Sequence, residues 1–140
     1  NDVKVSFVES ITGGLLSSLL VKNPGISKYF IGSDIVYGNQ AKSMLLNDDD
    51  IDFENWEELC VNLTYSSLEK YKTDICLTIL GEAGPLSSSK YAVGTIFICI
   101  SNGDKTVITD HKMNGNREEI LQRSANKAQW ELIKFIKNLY

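Results

Sequence analysis

Three short stretches place reactive or anion-binding residue types where a strand gives way to a turn or a helix. The first is Glu9-Ser10-Ile11-Thr12-Gly13-Gly14. A helix N-terminus offers unpaired N–H groups and a positive dipole end, suited to a phosphate or a developing oxyanion. Glycines let a ligand approach the backbone closely, and a serine just before the helix can point its hydroxyl into the same space. The same residues also suit a plain helix cap by Ser10 or Thr12, and the stretch alone leaves both readings open. No Walker A lysine follows, so a nucleotide P-loop is not expected.

A serine nucleophile needs a base. The single histidine, His111, falls in a strand where the sequence assigns it no acidic partner. It could complete a Ser–His pair or simply be packed. Lysine or tyrosine also activates serine when its surroundings hold the base unprotonated. The second stretch, Tyr37-Gly38-Asn39-Gln40-Ala41-Lys42, supplies both residue types, although a packed tyrosine and a solvated lysine would look the same. The third is Gly81-Glu82-Ala83-Gly84-Pro85, after an apolar run. Ligands of α/β sheets collect outside the carboxyl ends of strands, so Ser10, Tyr37 and Gly81 are expected to converge on one cleft.

The elements that must position these residues follow from periodicity. Val3 to Val8 alternates as a strand, and Thr12 to Lys22 carries leucines on one helical face before Asn23-Pro24-Gly25 stops it. Phe30 to Tyr37 predicts a strand, Asn39 to Leu46 a short helix, and Asn55 to Lys72 a longer helix striped by Trp56, Leu59, Cys60, Leu63 and Leu68. Ile75 to Leu80 reads as a buried strand, followed by the loop Gly81 to Lys90. Val93 to Ser101 and Lys105 to Lys112 flank Asn102-Gly103, a hairpin signal. A final helix runs from about Arg117 to Leu139. Helices interleaved with strands predict an α/β layered sandwich, and the hairpin makes its sheet mixed. No linker or repeat divides residues 1–140, which are expected to form a single domain. The chain begins without Met and almost at once as strand, as a fragment or one domain of a longer protein would.

Composition excludes several classes. A formal net charge of -4 lacks the basic face that nucleic-acid binding requires. No run reaches the roughly 18 apolar residues of a membrane span, and no signal peptide is evident. Cys60, Cys76 and Cys99 lie in apolar runs without metal-ligand spacing, which fits buried free thiols in a reducing cytoplasm. Asp48, Asp49, Asp50, Asp52 and Glu54 lack the central glycine of a calcium loop and read as a solvated acidic segment. Neither a metal nor a cofactor is expected.

These segments together resemble the CinA C-terminal domain family. The family's A-E-S-C-T-G-G stands here as Val8-Glu9-Ser10-Ile11-Thr12-Gly13-Gly14, and its P-G-S-S-x-x-F as Pro24-Gly25-Ile26-Ser27-Lys28-Tyr29-Phe30. Its Y-S-N-E-A-K is matched by Tyr37-Gly38-Asn39-Gln40-Ala41-Lys42, and its T-G-I-A-G-P by Leu80-Gly81-Glu82-Ala83-Gly84-Pro85. V-G-T appears as Val93-Gly94-Thr95 and G-D-R as Gly115-Asn116-Arg117. The resemblance implies a three-layer α/β/α sandwich that deamidates nicotinamide mononucleotide, with no cofactor and as a homo-oligomer. It implies Ser10 as nucleophile, assisted by Tyr37 and Lys42. Thr12, Gly13 and Gly14 at the helix start, with Gly81 and Gly84, would form the substrate pocket. Arg117 is the candidate phosphate contact, since a phosphate favours a guanidinium fork. Gly38, Leu80 and Glu82 depart from the pattern, as does the acidic segment that replaces H-G-A-V-S. They leave a second expectation open: a non-catalytic module of the same fold that binds a nucleotide or a protein. Hydrolysis of a different small amide is a third.

Overall fold

The computed structural model describes residues 2–139. Five strands form one mixed sheet: β1 (Val5–Glu9), β2 (Phe30–Ile35), β3 (Ile75–Gly81), β4 (Thr95–Ser101) and β5 (Thr106–Lys112). The order across the sheet is β2-β1-β3-β4-β5. β1 runs parallel to both β2 and β3, whereas β4 is antiparallel to β3 and β5. Strands β1 and β3 are buried on both faces because helices cover both sides of the sheet.

Helices α1 (Leu15–Leu20) and α4 (Arg117–Leu139) cover one face, where Phe7, Leu16, Leu77, Ile98, Ile120 and Phe135 interlock. Helices α2 (Asn39–Leu46) and α3 (Trp56–Tyr71) cover the other, around Val8, Leu59, Leu63, Leu80 and Phe97. The three-layer α/β/α sandwich with a hairpin in a mixed sheet is therefore the observed architecture. Each fully buried Leu, Ile or Phe contributes about 1.5–3 kcal/mol to holding the layers together. The three free cysteines lie buried in the α3 layer, as expected. Buried hydroxyls in the same layer satisfy one another: Ser6 bonds Ser67 at 2.9 Å and Thr73 at 2.8 Å, and Thr64 bonds Thr78 at 2.7 Å.

Element boundaries differ from the periodicity at instructive places. Helix α1 begins at Leu15 rather than Thr12, because Gly13 and Gly14 take positive φ values of 58° and 105° and form a turn. Strand β4 begins at Thr95, since Gly94 is held in a turn by bonds to Glu82 and Met113. A 3₁₀ turn at Ile26–Lys28 was not anticipated. In the hairpin, the Asn102 side chain accepts from the N–H groups of Asp104 and Lys105 at 3.0 and 2.7 Å, which closes the connection.

Candidate active site

Because β2, β1 and β3 are parallel neighbours, their carboxyl ends lie side by side. Ser10, Tyr37 and Gly81 therefore come together, as the strand-end argument predicts. They line one cleft of about 360 Å³ with Lys42, Gly84 and Arg117.

Ser10 continues directly from β1, with its N–H bonded to the Ile79 carbonyl at 3.1 Å. The residue is 8% exposed, and its hydroxyl makes no hydrogen bond with the described residues. Lys42 sits in the first turn of α2 and is only 6% exposed. Its Nζ donates to the Tyr37 carbonyl at 3.1 Å, and among the described residues no carboxylate lies within 4.0 Å of it. Burial lowers its pKa from the usual 10.5 to about 8, against a smaller raising influence of Cys60. A cation in the first turn of a helix also faces the positive end of the dipole. Lys42 is thus a poised amine rather than half of an ion pair.

Tyr37 is 58% exposed, and its hydroxyl accepts from Arg117 Nη2 at 2.7 Å. The Arg117 Nη1 donates to the Gly84 carbonyl. A capping box fixes that arginine at the start of α4: Asn116 Oδ1 accepts from the Glu119 N–H at 2.9 Å, and Glu119 Oε1 from the Asn116 N–H at 3.0 Å. Arg117 therefore ties the ends of β2 and β3 together across the mouth of the cleft. Neither Tyr37 nor Lys42 bonds the Ser10 hydroxyl.

Gly81 and Gly84 line the cleft and are also required by packing. A Cβ at Gly81 would lie 2.6 Å from Ile11 Cδ1, and one at Gly84, where φ is +80°, would lie 2.6 Å from Val93 Cγ1. Gly38 is different, since a Cβ there meets nothing within 4 Å.

Thr12, Gly13 and Gly14 do not line this cleft. The start of α1 already has its anion, the fully buried carboxylate of Glu9. Glu9 Oε1 accepts from Thr12 Oγ1 at 2.6 Å, Leu16 N at 3.0 Å and Gly14 N at 3.1 Å. Its Oε2 accepts from Ser17 N at 2.9 Å and from the Ser17 hydroxyl. The dipole end assigned to a substrate is thus used internally, and the signal was an acid directly ahead of the Ser-Ile-Thr-Gly-Gly turn.

His111 lies on β5 beside Glu131 at 3.8 Å and Thr109 at 2.9 Å, and is not part of the cleft. The acidic segment is an exposed loop in which Asp48 and Asp52 accept from the backbone two residues on. Sequence reasoning gave no role to Trp56, Glu54 or Ser88, all of which line the cleft. Their elements and the loop Gly81 to Lys90 were legible, but the fold of that loop, which brings Ser88 onto Glu82, was not.

The fold and site define a three-layer α/β/α sandwich with a serine–lysine cleft at the carboxyl ends of its parallel strands. A family profile for the CinA C-terminal domain matches residues 1–136, and the chain belongs to that family. It is 33% identical over 141 residues to a CinA-like protein of Petrotoga mobilis, covering 97% of this chain and 35% of that one. A CinA-like protein of Thermotoga maritima is 36% identical over 138 residues, covering 95% and 34%. The chain spans about a third of the length of these relatives. Among solved structures, a competence-damaged protein (CinA) superfamily protein from Enterobacter cloacae superposes with a TM-score of 0.86 at 21% identity, over 95% of this chain and 82% of that one. The competence/damage inducible protein CihA from Agrobacterium tumefaciens gives 0.84 at 22%, over 95% and 85%. At such identities the likeness shows the fold. No helix among the described residues is long and apolar enough to cross a membrane.

Proposed function

We propose that the chain is an amidase that converts nicotinamide mononucleotide to nicotinate mononucleotide and ammonia, with Ser10 as nucleophile. Lys42 carries the reading: a desolvated amine with a pKa of about 8 lines the same cleft as an unbonded serine hydroxyl. Keeping a lysine buried without a carboxylate is costly to the fold, and it produces the amine that a serine needs as base.

Ser10 Oγ attacks the carboxamide carbon while its proton passes to neutral Lys42. The N–H of Ile11, next along a sharp strand-to-helix turn, donates to no acceptor among the described residues and is available to the developing oxyanion. The C–N bond then breaks, Lys42 returns the proton to the leaving nitrogen, and ammonia departs from the Ser10 ester. Water, deprotonated by the same amine, cleaves that ester to the acid. Arg117 has donors to spare beyond its bonds to Gly84 and Tyr37, and it takes the phosphate. Catalytic hydrogen bonds often shorten only around bound substrate, so Tyr37 and Lys42 close on Ser10 in the complex.

The test is ammonia release from nicotinamide mononucleotide, which Ser10→Ala should abolish. Equal rates for the two proteins would sink the nucleophile assignment. One observation favours the second reading, a non-catalytic nucleotide-binding or protein-interaction module: the Tyr37 hydroxyl is engaged by Arg117 and not by Ser10. Calorimetric binding of the mononucleotide without turnover would support that module.

A further inference from the structure

The cleft holds a second buried charge that the hydrolysis above does not use. Glu82 follows β3, is 7% exposed and lines the same cleft as Ser10. Among the described residues its carboxylate is bonded by Ser88 alone, through the N–H at 3.3 Å and the hydroxyl at 3.1 Å. Among the described residues no Lys, Arg or His nitrogen lies within 4.0 Å of it. The two cations of the cleft are committed elsewhere, Lys42 to the Tyr37 carbonyl and Arg117 to Gly84 and Tyr37. The fully buried Glu9 is satisfied by five donors, whereas Glu82 has two from one residue, and so sparsely bonded a buried carboxylate is stabilised when a ligand brings positive charge. An aromatic residue lines the same cleft: Trp56, whose ring stacks on Tyr91 with centroids 4.1 Å apart. Aromatic rings add to the attraction for a cation.

We propose that Glu82 is a specificity-determining residue that selects a positively charged ring on the substrate. A quaternised pyridinium carboxamide is thereby preferred over the same molecule with a reduced, neutral ring. This inference rests on the amidase reading for its choice of ligand, but its test does not need turnover. In Ser10→Ala protein, calorimetry gives Kd for nicotinamide mononucleotide and for its 1,4-dihydro form, which carries the same phosphate. The charged ring is expected to bind about tenfold more tightly, the scale of one screened charge–charge contact in a partly desolvated site. Adding Glu82→Gln should bring the two Kd values within about twofold of each other. If Glu82→Gln does not fold, Glu82→Ile should show the same collapse. A preference that survives either substitution, or no preference with Glu82 present, overturns the proposal, as does failure of both ligands to bind. A preference that depends on Glu82 in a chain whose wild type releases no ammonia supports the proposal and overturns the amidase reading alone.

Discussion

Lys42 is where stability and chemistry pull in opposite directions. Lys42→Met should remove a buried unpaired charge and raise unfolding stability at pH 7 by about 1 kcal/mol, while lowering kcat by roughly 10²–10⁴-fold. Urea unfolding and ammonia release measured on the same preparation check both halves, and a variant that loses stability would show that the amine is favourably paired. The pH profile should report the same group. With its pKa near 8, a base that acts deprotonated gives kcat/KM rising about tenfold per pH unit below that value and levelling above it. A profile flat from pH 6 to 8 would remove Lys42 as the base. Residue types made Ser10, Tyr37 and Lys42 readable as candidates, since few side chains can serve a serine. Their hydrogen bonds were not readable. The hold of Arg117 on Tyr37 joins residues 80 apart in sequence, and nothing in local pattern specifies it.

At the scale of elements, periodicity located the helices and strands because apolar side chains must meet the sheet on one face. It overran the ends, where backbone bonding decides. The start of α1 is the clearest instance. A six-residue helix would fray on its own, and five donors converging on Glu9 anchor it to the end of β1. Glu9→Gln should cost about 3 kcal/mol, because an amide nitrogen then faces N–H groups that must be accepted. Ser17→Ala should cost only about 1 kcal/mol. A Glu9→Gln loss below that of Ser17→Ala in urea unfolding would show that α1 is held by packing instead. Helix α2 makes the opposite case. Gly38 is its N-cap, in an extended conformation with no side-chain cap and open space where a Cβ would stand. Gly38→Ser should stabilise by about 0.5 kcal/mol through a cap bond and a less flexible unfolded chain. A thermal melt in which Tm falls would contradict that account.

For the molecule as a whole, the layer beneath α3 gathers titratable groups whose burial couples the fold to alkaline pH. Desolvation raises the Cys60 and Cys99 thiols above the usual 9.0 and lifts Cys76 to about 11. A raised folded pKa gives stability that is fully present below the unfolded value and is lost as pH climbs through the folded one. The thiols therefore hold the fold up to about pH 9 and withdraw support above it. Lys42 acts with the other sign. Its folded pKa of about 8 lies below the usual 10.5, so the unfolded chain binds the extra proton in between and stability rises with pH there. Lys42 dominates around pH 8, the thiols begin to offset it towards pH 9, and above 9 three thiols oppose one amine. The urea midpoint should thus rise slightly from pH 7.5 to 8.5 and fall by pH 10. Lys42→Met should keep the fall and lose the rise, which separates the amine from the thiols in one experiment. A wild-type midpoint that declines steadily from pH 7.5 would mean that Lys42 is not desolvated, and the case for it as the base would fail with it.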